Sequence, residues 1–190
     1  MTLMRILRYP NKDLRKAALP VAAFDESLKQ IIQELFDVLY AANGWGLAAN
    51  QVGVLSQIIV MDISPDQNQP MVFINPKILS KSGEVESEED NLSFPGMFIK
   101  LKRAKKIELQ YCDENGKSQT QIFEGLLACC LAQKVDSLNG KLFIDHLSEL
   151  KRTRLLAKYN KMKYQPVSHD HVHGPGCSHD HDHEHDHHQH

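Results

Sequence analysis

The sequence predicts an α+β domain, with antiparallel strands around a central helix plus a C-terminal helix. Three observations carry that prediction. Between residues 124 and 138 an apolar run (Leu126, Leu127, Ala128, Cys129, Cys130, Leu131) opens after Glu124-Gly125 and stops at Asn139-Gly140, the pattern of a buried helix. Behind Asp25, a capping residue type, Leu28, Ile31, Ile32, Leu35, Phe36 and Leu39 recur at the spacing of an amphipathic helix. Residues 105–112 and 118–123 alternate on either side of Asp113-Glu114-Asn115-Gly116, a hairpin signal.

Taken in order, residues 4–7 read as a short strand leading into Tyr9-Pro10. The helix behind Asp25 runs to about Ala42, where Asn43-Gly44 breaks it. The small residues Gly46, Ala48 and Ala49 that follow suit close backbone approach. Residues 58–63 and 71–75 are strand-like runs separated by a polar turn at Pro65-Asp66-Gln67-Asn68, and residues 78–85 continue the pattern through Ser82-Gly83. Glu86, Glu88, Glu89 and Asp90 form an acidic cluster, read as a solvated loop; the functional alternative is attraction of a peptide's free or basic groups. After the helix of residues 124–138 a short strand is expected by Asp145, and a charged amphipathic helix from Leu147 closes the domain.

At 190 residues, with 42% hydrophobic and 24% charged side chains, the chain fits one globular domain (residues 1–165) and an appendage (residues 166–190). The body carries a small positive excess, too small to argue for nucleic acid, and the tail carries the compensating acids. The four cysteines show no disulfide-framework spacing, and no signal peptide or long apolar span is visible, so a cytoplasmic, membrane-free setting is expected. The tail is a different material. His169, His171, His173, Cys177, His179, His181, His183, His185, His187, His188 and His190 are interleaved with Asp and Glu and almost no apolar residues. Such a segment cannot build a core and is expected to be disordered. Its imidazoles, carboxylates and thiol are ligand types for Zn, Ni, Co or Cu ions, as in the His-rich tails of metal chaperones and storage proteins that it resembles.

Three separated blocks carry a resemblance to a known family. Gly44-Trp45-Gly46-Leu47-Ala48-Ala49-Asn50-Gln51 resembles a GxGLAAxQ block; residues 89–96, Glu-Asp-Asn-Leu-Ser-Phe-Pro-Gly, resemble EGCLSxPG; and residues 124–140 resemble EGLLAxxxQHExDHLNG. Order and spacing are those of the peptide deformylases, which remove the formyl group from the N-terminal methionine of new bacterial polypeptides. The similarity runs from about Met4 to about Lys163, and implies that family's fold and a place in protein biosynthesis. The resemblance also implies roles. In the family the Cys of EGCLS and the two His of HExxH hold a metal, the Glu of HExxH moves the proton, and the Gln at Gln51 and the N–H at Leu92 face the reacting oxygen. A purely structural alternative for Gln51 is a bond to backbone.

Here the ligand positions are Asn91, Gln133 and Ser137, and the Glu position is Lys134. The HExxH pattern works because residues at i and i+4 aim two imidazoles at one ion. A neutral amide and a hydroxyl at that spacing are poor ligands, and Lys134 adds a cation, so no cofactor is expected in the core site. Cys129 lies one turn before Gln133 on the same helix face but lacks partners for a rebuilt metal site; Cys130 reads as a small buried apolar residue, and His146 is the sole histidine before the tail. The leading expectation is a deformylase-like protein without deformylase activity, a pseudoenzyme. Its pocket receives a peptide or nascent-chain N-terminus and its tail binds metal ions. One alternative is an active deformylase or related amidohydrolase with a rebuilt or metal-free site using Lys134. The other is a scaffold whose tail alone functions.

Overall fold

The computed structural model describes residues 4–163; the tail and its expected metal ligands lie outside the described residues. Asp25 caps α1 (Glu26–Ala41), its carboxylate accepting from the Leu28 N–H at 3.1 Å. The chain then runs through β1 (Gly46–Ala48), β2 (Ile58–Met61), β3 (Met71–Ser82), β4 (Val85–Glu89), β5 (Ile99–Arg103), β6 (Lys106–Cys112) and β7 (Ser118–Glu124). Two helices complete it, α2 (Gly125–Leu138) and α3 (Glu149–Lys163).

Five strands form one antiparallel sheet in the order β1-β2-β3-β6-β7, and β4 and β5 form a separate two-stranded ribbon. Alternation along β2 explains where the helices go. Ile59 and Met61 join Phe73, Ile107, Leu109 and Phe123 against Ala128, Leu131 and Leu138 of α2. Ile58 and Val60 join Ile74 against Leu28, Ile32, Leu35 and Leu39 of α1. The two helices therefore cover opposite faces of the sheet. A third cluster, built on Leu14, Phe94, Phe143 and Tyr159, seats α3 beneath the segment that follows β4. Among the described residues no helix is long and apolar enough to cross a membrane.

The expected hairpin is present, with β6 paired to β7 from Lys106 opposite Glu124 to Cys112 opposite Ser118. Three expectations need correction. Residues 4–7 form no strand, and the Leu7 and Tyr9 N–H groups donate singly to the Gln51 and Ser93 carbonyls. The strand expected by Asp145 is a single 3-10 turn, Phe143–His146. Leu142, Phe143 and Ile144 are all buried in succession there, which a one-face-buried strand does not do. All of the acidic cluster but Asp90 lies in strand β4, not a loop, because β5 supplies a cationic partner strand: Glu86 lies opposite Lys102 and pairs with Lys100, while Glu89 meets Arg103.

Candidate functional site

Three segments meet at the inner end of α2: β1 with the turn behind it, the loop after β4, and α2 itself. Their alignment follows from local chemistry. Gly46 lies over Lys134, where an added Cβ would stand 3.4 Å from Lys134 Cε and 3.1 Å from Met61 Cγ; the absence of a side chain makes room for the lysine stem. Gln51 folds back so that its Oε1 accepts from the Ala48 N–H at 3.0 Å. The Ser93 N–H donates to Asn91 Oδ1 at 2.9 Å and fixes the loop's polar side chain inward.

These anchors give direction to a continuous network. A backbone N–H only donates, so the Gln51 and Asn91 atoms that receive Ala48 and Ser93 are their oxygens. The Gln51 amide nitrogen then donates to Asn91 Oδ1 at 3.0 Å and to Ser93 Oγ at 3.1 Å. The Asn91 amide donates to Gln133 Oε1 at 3.3 Å, and the Gln133 amide donates to Glu89 Oε2 at 2.9 Å and the Asp90 carbonyl at 3.0 Å. Arg103 closes the far end. It grips both Glu89 oxygens at 2.6 and 2.9 Å and donates to Asp136 at 2.7 Å, where His146 Nε2 also bonds at 2.7 Å. Burial works against the Arg103 charge, but its bonds to Glu89 and then Asp136 hold its pKa above the ordinary value.

Lys134 points into this network and does not pair with Glu89. Its ammonium donates to Gln133 Oε1 at 2.8 Å and Gln51 Oε1 at 3.4 Å, and the residue is 5% exposed. Burial lowers its pKa from 10.5 to about 8, against the pull of Cys130, Asp90 and Glu89. One turn earlier, burial pushes the Cys130 thiol up from 9.0 to about 11, the nearby lysine notwithstanding. Cys130 is therefore a neutral thiol at pH 7 and no nucleophile.

The site lies beside a cavity of about 460 Å³ lined by residues of α2 (Leu126, Cys129, Cys130, Gln133, Lys134), by Asn43–Gly46, by the end of β4 with Asp90–Leu92, and by Phe98. Both cysteines, read from sequence as core or ligand support, are walls of it. A larger cleft of about 940 Å³ adjoins it between residues 4–8, α1 and residues 90–98.

The would-be ligand positions are brought together, but as bonding partners of one another. Asn91 Oδ1 already accepts twice, Gln133 Oε1 accepts from Asn91 and Lys134, and Ser137 Oγ donates at 3.1 Å to the Gln133 carbonyl of its own helix. The Lys134 ammonium donates to one member of the set, Gln133, and to Gln51 beside it. These residues do not fit a divalent metal. No cluster of three or more His, Cys, Asp or Glu suited to a metal occurs among the described residues. Gln51 is at the site, yet both hydrogens of its amide are engaged by Asn91 and Ser93, so in this arrangement it donates nothing to a ligand. The Leu92 N–H has no acceptor among the described residues, and Leu92 is one of the residues that line the cavity.

Sequence reasoning did not find the Glu89–Arg103–Asp136–His146 arm. Its one visible trace was the acidic run Glu86–Asp90 facing a basic run, Lys100–Arg103, at strand spacing.

Residues 3–153 match the family model described as polypeptide deformylase. A peptide deformylase of Nitrosococcus oceani is 45% identical over 161 residues, covering 85% of this chain and 96% of that protein. A crystal structure of a peptide deformylase from Legionella pneumophila superposes with a TM-score of 0.80 at 44% identity, over 87% of this chain and 100% of that one. The peptide deformylase from Synechococcus elongatus, solved in complex with actinonin, gives a TM-score of 0.79 at 37% identity, over 83% and 88% of the two chains.

Proposed function

The chain belongs to the polypeptide deformylase family, and from that premise we propose that its pocket receives a peptide N-terminus without the metal-dependent removal of a formyl group. One observation carries this reading: two of the three ligand positions, Asn91 and Gln133, form a closed hydrogen-bond ring with Gln51 and the Lys134 cation, and the third, Ser137, bonds back to its own helix. The cavity beside it stays open, with apolar walls at Leu126 and Phe98 and the Leu92 N–H available to a carbonyl oxygen. Binding and turnover are thereby separated. In the same reading the tail, with ten histidines after residue 165, takes transition metals independently of the body.

A second reading is an active deformylase or related amidohydrolase. The names of the relatives support it better than they support loss of activity, since close to half of the residues are identical to those of proteins so named. It needs a route without the family's metal, and Lys134, with its lowered pKa, is the group such a route would use as a base.

The test is hydrolysis of a formyl-Met peptide by the full chain, alone and with Fe(II), Ni(II), Co(II) or Zn(II). A variant carrying Asn91→Cys, Gln133→His, Lys134→Glu and Ser137→His serves as control. The expected result is no turnover by the wild-type chain, thermal protection by the peptide, and turnover with metal by the restored variant. Wild-type turnover that disappears in Lys134→Met would establish the second reading instead.

A further inference from the structure

A lysine removed from water ordinarily faces a carboxylate, because an unpaired buried charge is costly. Lys134 does not. It is 5% exposed, and its hydrogen bonds go to two neutral amide oxygens, those of Gln133 and Gln51. An ammonium has three donors, so one N–H is left over. Glu89, the buried acid of the network, is gripped at both oxygens by Arg103, and Asp90 contributes only its backbone carbonyl to it. Lys134 lines the cavity of about 460 Å³, as does Leu92, whose N–H finds no acceptor among the described residues. Trp45, Phe98 and Leu126 supply exposed apolar surface around the same space.

We propose that this cavity binds a small monocarboxylate bearing an apolar chain, its oxygens received by the Lys134 ammonium and the Leu92 N–H and its chain lying against Trp45, Phe98 and Leu126. The carboxylate supplies a hydrogen-bonded counter-charge, which Lys134 has from neither Asp90 nor Glu89, and it does so in a shielded setting where a charge-assisted hydrogen bond is strong. Glu88 and Asp90 also line the cavity, both exposed at its rim. They repel an anion held at their end, so the acid enters with its charged group leading toward Lys134. The inference goes beyond the peptide reading, because it places a charged group where that reading places a neutral carbonyl.

The decisive comparison is calorimetric titration of the full chain at pH 7 with hexanoate and with hexanamide, which match in shape and differ in charge. Leucine supplies the zwitterionic arm and a formyl-Met peptide the peptide arm. Hexanoate is expected to saturate and to bind about tenfold or more tighter than hexanamide. In Lys134→Met that advantage is expected to disappear. Equal binding of the two ligands by the wild-type chain, no binding of hexanoate, or an advantage that survives Lys134→Met would each overturn the proposal. Peptide binding without hexanoate binding overturns it and leaves the peptide reading standing. Hexanoate binding without peptide binding does the reverse. A gain of leucine over hexanoate identifies the amino acid as the source of the carboxylate.

Discussion

Lys134→Met is expected to stabilise the protein at neutral pH, although it deletes a residue from the centre of the site. The depression of the Lys134 pKa from 10.5 to about 8 corresponds to about 3 kcal/mol by which the folded state disfavours the charged form. The lost hydrogen bonds offset part of this, at about 1 kcal/mol each. Neither acceptor is orphaned, because Gln133 Oε1 keeps the Asn91 amide and Gln51 Oε1 keeps the Ala48 N–H. The methionine chain follows the same path under Gly46. The net gain is about 1–2 kcal/mol, or a rise in Tm of about 3–6 °C for a chain of this size.

The pH dependence separates this account from a packing effect. Below pH 8 the folded and unfolded chains both hold the Lys134 proton, and the folded state carries the full burden of the charge. Between the folded value of about 8 and the ordinary value of 10.5 the folded chain has released that proton while the unfolded chain keeps it. The unfolded state then binds more protons, so stability rises with pH. From pH 7 to pH 9 the wild-type chain should gain about 1 kcal/mol relative to Lys134→Met. Above that window, from the ordinary thiol value of 9.0 to the folded value of about 11, Cys130 acts in the opposite direction because the unfolded thiol releases its proton first. Urea unfolding at half-unit pH steps measures both slopes. A variant less stable than wild type at pH 7, with parallel pH profiles, would refute the description of Lys134 as a burdened cation.

Two further outcomes follow from other parts of the structure. Arg103→Met leaves Glu89 buried without its bidentate partner, and should cost about 3–5 kcal/mol in chemical denaturation, with much of the loss recovered when Glu89→Met is added. If the double variant is no better than the single one, the arm is held by packing and not by the charge pair. Gly140→Ala should cost about 2 kcal/mol or more by the same measurement. Gly140 has φ 73°, and an added Cβ would run into the Arg15 carbonyl oxygen, which is backbone and cannot yield cheaply. An unchanged midpoint would show that the segment after α2 repositions freely.

Much of the fold was readable because its signals are local. Asp25 caps α1 through a bond to a residue three positions on, and the Asp113–Gly116 turn sets the β6–β7 register by itself. The burial alternation of β2 was not readable in advance, since a run of four buried residues looks the same whichever face meets which helix. The acidic cluster misled for a related reason. Charge runs are usually solvated, and only the arrival of Lys100, Lys102 and Arg103 from ten or more positions later makes a strand of it.

The sequence by itself determined the family and most of the elements, because both are a matter of residue type at a spacing that the backbone imposes. Residue types at 91, 133, 134 and 137 were enough to argue that the core lacks metal donors. How Lys134 is held was decided only by the tertiary structure. Whether Lys134 meets Glu89 or turns toward the amides of Gln51 and Gln133 depends on Arg103 reaching Glu89 first, from a strand 31 positions before the lysine in sequence but adjacent in space. A charge inside a protein takes its pKa, its partners and its capacity to hold a ligand from groups brought to it by folding, and those distances have no counterpart along the chain.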